Sequence, residues 1–209
     1  MHSSFFYLFL GLLFQLDFYA YKGIDIIPDV VGYYLIYKGL REITNESKYF
    51  ALADKLILPV LALSVVKIYN FQYHPDFFLS FSFAIDIVKA ILFTASMYLV
   101  YNLCKGSMEV AESIQDDYLE RTINQRLYLY LGVAGVLLLL SVFSLLPFGG
   151  IIANLQGFFT IIYFAYIFVI IILAAGIYGL YKELSPTKGK RAKVKAKVTV
   201  KQSQAKRKR

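Results

Sequence analysis

The sequence predicts an all-α integral membrane protein with about six transmembrane helices, and no fewer than four. Three observations predict it. Hydrophobic residues make up 58% of the 209-residue chain and mean hydropathy is +0.58, above what a soluble domain needs to fill a core. The apolar residues gather in runs long enough to cross a bilayer core of roughly 30 Å, which takes about 20 helical residues. The runs also lack the apolar/polar alternation of barrel strands, so the backbone must satisfy its amides within helices.

The first run extends near Ser4 to Tyr21. Only Met1-His2-Ser3-Ser4 precedes Phe5, with no Lys or Arg, and no small-x-small cleavage site follows before Asp17. A retained span is expected, not a signal peptide. The stretch "GIDIIPDVVGYY" then reads as a reversal. Lys22-Gly23 ends one helix, Asp25 caps the next, Pro28 fits its first turn where a missing N–H is harmless, and Asp29 complements the positive helix end ahead of Gly32. A cation site on Asp25 and Asp29 is the functional alternative, short of a third ligand.

The second run, near Ile26 to Leu40 and reaching Ile43 at most, is short, so the first two helices form either two crossings or a tilted, re-entrant hairpin. The third lies near Leu56 to Phe71, and Pro59 removes its bond to the Lys55 carbonyl, which predicts a kink. The fourth, near Phe77 to Cys104, carries Asp86 and Lys89 at i, i+3, on one helix face. Two such charges at a helix centre cost on the order of 5 to 7 kcal/mol, against roughly 3 to 7 returned by the span's large apolar residues. The pair is therefore expected to be neutralised or to face protein, and Lys67 and Asp17 would fall in the same half of the membrane to complete a polar cluster. That cluster is either a register-fixing salt-bridge network or a solute or ion pathway.

Between 105 and 126, Met108, Ala111, Ile114, Tyr118 and Thr122 recur at helical spacing, and Glu109, Glu112, Asp116, Asp117 and Glu120 supply an acidic face. A cytoplasmic amphipathic helix is predicted. The fifth run lies near Leu127 to Leu146 and the sixth near Ile151 to Tyr181; Gly132, Gly135, Ala175 and Gly179 offer close helix contact. The chain thus divides into four membrane helices (1–104), the acidic helix (105–126), a last hairpin (127–184) and a polybasic tail (185–209).

Of 22 Lys and Arg, twelve lie from Lys182 onward beside a single acid, Glu183; the remainder of the chain is slightly acidic. With the amino terminus inside, the inner loops carry Arg41, Lys48, Lys55, Lys105, Arg121, Arg126 and the tail, whereas the outer turns carry only Lys22. The bias places both termini in the cytoplasm of a cell-membrane protein. The tail has too few large apolar residues for a core and is predicted to be disordered. Lys188, Lys190, Arg191, Lys193, Lys195 and Lys197 are expected to contact anionic lipid head groups, each by about 1 kcal/mol near the surface. It lacks the stacking residues of a nucleic-acid binder.

Phosphate-loop, dinucleotide, nucleophile-elbow and H-E-x-x-H motifs are absent from the sequence. With His2, His74 and Cys104 as the only His and Cys, no catalytic activity, metal or cofactor is expected. The unit from the first span through Asp25, Pro28, Asp29 and Gly32 resembles small multi-pass membrane proteins of Gram-positive bacteria, in which an apolar helix precedes a D-x-x-P-D-x-x-G turn. The resemblance covers roughly the first fifth of the chain and implies membrane topology and a bacterial envelope, with no catalytic or binding residue. The resulting expectation is a non-enzymatic scaffold or accessory subunit. The alternative is a small transporter or channel built on Asp86 and Lys89, whose short spans would need another copy or a membrane-protein partner to enclose a path.

Overall fold

A computed structural model describes residues 2–16, 29–65, 82–144 and 156–185. Of the residues singled out above, Asp17, Asp25, Pro28, Lys67, Lys188, Lys190, Arg191, Lys193, Lys195 and Lys197 lie outside the described residues. Among those described, the chain is helical and contains no strand: α1 (His2–Leu13), α2 (Asp29–Ile43), a 3-10 turn (Thr44–Glu46), α3 (Lys48–Ser64), α4 (Ser82–Ser113), α5 (Asp117–Ser144) and α6 (Gln156–Glu183).

Each helix packs on the next, and α6 packs back on α1, closing a ring of six. Neighbours run antiparallel. Gly39 of α2 meets the Ser4 carbonyl near the start of α1, Phe50 of α3 lies against Gly106 near the end of α4, and Leu119 of α5 packs against Gly179 near the end of α6. His2 stacks on Tyr181 with ring centroids 4.2 Å apart. The start of α1, the α2–α3 junction, the α4–α5 turn and the end of α6 therefore share one end of the bundle, called here the hairpin end.

Inward faces follow helical periodicity: Tyr33, Ile36, Leu40 and Ile43 on α2, and Ile170, Leu173, Ala174, Ile177 and Leu180 on α6, are all buried. The outward faces are apolar as well. Three helices, Phe83–Ser113, Asp117–Phe143 and Gly157–Glu183, are long and apolar enough to cross a membrane, and only 22%, 17% and 28% of their apolar windows is buried inside the chain. Large side chains such as Ile91, Leu139, Ile161, Phe164 and Phe168 point outward. A surface of this kind suits lipid as its solvent.

Several helices extend beyond the apolar runs that announced them, always at the hairpin end. α3 starts at Lys48 rather than near Leu56 because Ser47 caps it, accepting from the Tyr49 amide at 3.0 Å. It then runs through Pro59 without ending. The segment 105–126 is not a separate amphipathic helix. Its first part is the last turns of α4 and its second the first turns of α5. At the break, Gln115 takes a left-handed conformation (φ 59°), its amide bonds the Glu112 carbonyl at 2.9 Å, and the Asp116 amide bonds the Ala111 carbonyl at 3.1 Å. These are the two bonds of a Schellman ending. Asp116 then caps α5, its carboxylate accepting from the Leu119 amide at 3.0 Å. The turn resets the helical phase: Leu119 and Ile123 enter the core, while Ile114 and Tyr118, expected on the apolar face, are exposed.

Candidate functional site

The most chemically differentiated region among the described residues is the hairpin end. Here α4, about 48 Å long, and α5, about 42 Å, exceed a bilayer core of roughly 30 Å. Their joint tip carries Glu112, Asp116, Asp117, Glu120 and Arg121, with Tyr118 81% exposed among them. The tip is fixed from below. Ser47 donates to Glu109 at 2.5 Å, tying the α3 cap to α4. On the other flank Arg126 donates to the Ile172 carbonyl of α6 at 2.7 Å, a reach opened by Gly176, whose added Cβ would stand 3.3 Å from the guanidinium. Arg126 is thus a docked residue of the α5–α6 seam as well as a basic charge.

Beside the tip, Ser4 and Ser3 donate to Glu42 at 2.6 and 3.2 Å. The Ser4 hydroxyl, and less strongly that of Ser3, holds the Glu42 carboxyl below its ordinary range against the opposing effect of partial desolvation. Aromatic rings line the α1–α6 seam at the same end, where Phe6 and Phe9 meet Tyr181 and Tyr178.

The two acids singled out by sequence exchange environments. Asp86 and Lys89 stand 4.0 Å apart within the first turns of α4, 52% and 30% exposed, with Lys89 on the helix face that carries the buried Leu92 and Ser96. Asp29, read as a water-facing turn residue, is in the first turn of α2 as expected but only 2% exposed. Gly32 is no turn residue either. An added Cβ would lie 2.8 Å from the Gly11 carbonyl, so it serves the close approach of α1 and α2. One turn beyond Asp29, on the same face, Tyr33 meets Ser96 of α4 at 2.5 Å. Ser96 spends its proton on the Leu92 carbonyl at 2.8 Å, so Tyr33 is the donor. Tyr130 of α5, fully buried, stacks near Tyr166 of α6 with centroids 6.0 Å apart. The interior thus holds a polar set, Asp29, Tyr33, Ser96, Tyr130 and Tyr166, of which sequence reading singled out only Asp29, as a helix-end residue. The signal available was inward spacing: Asp29, Tyr33, Ile36 and Leu40 share one face of α2.

No three His, Cys, Asp or Glu side chains come together among the described residues. Cys104 is buried. No protein-family model matches the chain, and no curated protein or solved structure matches it.

Proposed function

We propose that the chain is a multi-pass integral protein of a cell membrane, with the hairpin end and both termini in the cytoplasm, and that it acts without catalysis as a scaffold or accessory subunit. The observation that carries this reading is Tyr118, 81% exposed on a rigid acidic tip that outreaches the bilayer. A large aromatic side chain held in that position is what a protein partner with an apolar, basic surface would bind. The orientation is supported by charge: of the Lys and Arg among the described residues, only Lys89 lies in the half of its helix away from the hairpin end. The tail from Lys188 onward adds its cations next to α6, where anionic lipid head groups would hold them.

The test compares the full chain, Tyr118→Ala and a form ending after Ser185, each purified from crosslinked native membranes and read by mass spectrometry. A stoichiometric partner present with the full chain and lost from Tyr118→Ala supports the tip as its dock. Unchanged recovery with both variants counts against a scaffold.

The burial of Asp29 inside a closed ring favours a second reading, conduction of a proton or small cation. Asp86 is half exposed whereas Asp29 and Tyr33 are buried, so a path through one bundle would pass Asp29 and Tyr33. That reading requires Asp29→Asn to abolish a flux in liposomes at unchanged protein abundance; a flux lost only with Asp86→Asn would return the pathway to Asp86 and Lys89.

A further inference from the structure

Among the described residues, five Lys or Arg side chains stand over tyrosine rings, and all five do so at the hairpin end. Lys38 lies 4.5 Å from the centroid of Tyr7, and Lys182 4.9 Å from that of Tyr178. Arg41 over Tyr37, Lys48 over Tyr49 and Lys105 over Tyr101 stand at 5.6, 5.1 and 5.9 Å. Lys38, Arg41, Lys48 and Lys182 are exposed, and Lys105 is half-buried on the face of α4 opposite Leu103. The pairs are thus spread around the outer surface, with a member on every helix but α5.

Helix contacts put these cations at one depth. Gly39 meets the Ser4 carbonyl, the next residue Phe5 packs against Phe50 with centroids 6.2 Å apart, and Phe50 lies against Gly106. Phe6 meets Tyr181 at 5.3 Å. Lys38, Lys105 and Lys182 are each the sequence neighbour of one of these contact residues, and Arg41 and Lys48 stand two positions from Gly39 and Phe50. At about 1.5 Å of rise per residue, the five fall within roughly 5 Å of depth. In every pair the tyrosine is attached on the deeper side. Tyr37, Tyr101 and Tyr178 come four residues before their cation on helices that run toward the hairpin end, whereas Tyr7 and Tyr49 lie beyond Ser4 and Lys48 on helices that run away from it.

A contact within one helix stabilises that helix wherever it occurs, so helix stability does not account for a common depth. Cation toward water and ring toward hydrocarbon is the order of a bilayer interface, where tyrosine sits at the headgroup level and long basic side chains reach outward. An ammonium over a ring keeps N–H donors for a phosphate oxygen. The acids nearest this level, Glu42, Glu109 and Glu183, are fewer than the cations, and serine hydroxyls engage the first two.

We propose that this band is a binding surface for anionic phospholipid, each cation receiving a headgroup phosphate and the tyrosine beneath it the glycerol and first acyl carbons. Phosphatidylcholine offers the same phosphate but carries its own cation, so the band selects lipids of net negative charge. The inference rests on the membrane setting, and on neither the scaffold reading nor the tail.

The chain contains no tryptophan, so Tyr101→Trp in the full chain gives a single reporter within the band that keeps a ring under Lys105. Leu139→Trp, 61% exposed near the far end of α5, gives a reporter outside it. Each protein is reconstituted into phosphatidylcholine vesicles doped with brominated phosphatidylcholine or brominated phosphatidylglycerol, and tryptophan quenching is read. The Tyr101→Trp reporter should respond to phosphatidylglycerol with an apparent affinity about fivefold higher, the ratio that one cation near an anionic surface supplies. Leu139→Trp should not distinguish the two lipids. Adding Lys105→Gln to the Tyr101→Trp protein should abolish the preference. Equal quenching by the two lipids before that change, or a preference that survives it, would overturn the proposal, the latter assigning the preference to the tail. If the Lys105→Gln protein fails to accumulate, Tyr178→Trp with and without Lys182→Gln makes the same comparison at a second pair, and the same outcomes decide. A Leu139→Trp reporter that neither lipid quenches would refute the membrane setting, and this inference with it.

Discussion

A single backbone conformation decides the shape of the hairpin end. Gln115 holds φ at 59°, a region that costs an L-residue about 1 to 2 kcal/mol and that glycine enters freely. Gln115→Gly should therefore raise stability by up to about 1 kcal/mol, read as a higher unfolding temperature in detergent; a lowered one would mean that the turn is held by something other than its backbone geometry. The sequence gives little warning of this turn. No glycine or proline falls between Ser107 and Asn124, and the apolar period runs through Ile114 and Tyr118 as if one helix continued. Only the Gln115-Asp116 step marks the break, through the capping chemistry of the aspartate. Glu42 is the second decisive residue at this scale. Because the folded state depresses its carboxyl, its contribution to the α1–α2 contact is present above the ordinary carboxylate pKa of 4.5 and is lost as pH falls below that value. The protection of the first turn of α1 against hydrogen exchange, taken relative to the intrinsic rate at each pH, should fall on acidification through this window, and Glu42→Gln should remove that pH dependence. Exchange that is as pH-dependent in the variant would place the titrating group elsewhere.

Among the helices, the α1–α2 pair depends most on close backbone approach. An added Cβ at Gly32 would fall 2.8 Å from the Gly11 carbonyl and 3.0 Å from Phe14 Cβ, and one at Gly11 would fall 2.7 Å from the Gly32 carbonyl. Neither contact can relax by moving a side-chain tip. Gly32→Ala should cost about 1 to 3 kcal/mol of stability, measured by thermal or denaturant unfolding in detergent. The same change at Gly132, where nothing lies within 4 Å, should be tolerated in the single chain, and equal effects at the two sites would refute the packing account. Helix existence was legible from apolar runs, because lipid-facing and core-facing positions are both apolar and length alone identifies a span. Helix ends were not legible for the same reason. At the hairpin end the helices continue into polar sequence, and only local caps such as Ser47 and Asp116 mark where they begin. Burial within a span was equally hidden. Asp29 reads in sequence as a turn residue and Asp86 as an intramembrane acid, and only helix packing makes the first buried and leaves the second half exposed.

At the scale of the whole molecule, the antiparallel ring puts every described helix junction, the start of α1 and the end of α6 on one face. That layout gathers on one surface the Glu42–Ser4 contact, the Ser47–Glu109 tie, the Arg126 seam and the tip that carries Tyr118, the surface proposed above to face the cytoplasm. The all-α architecture was legible from composition and run length. The ring order was not, since apolar runs specify that helices bury a face but not which neighbour covers it. The sidedness of that surface is the central claim, and cysteine accessibility tests it most directly. Tyr118→Cys would be treated with a membrane-impermeant thiol reagent in intact and in opened cells, with Cys104 buried and silent. Modification only after the cells are opened is the predicted result; modification in intact cells would put the tip outside and contradict the account.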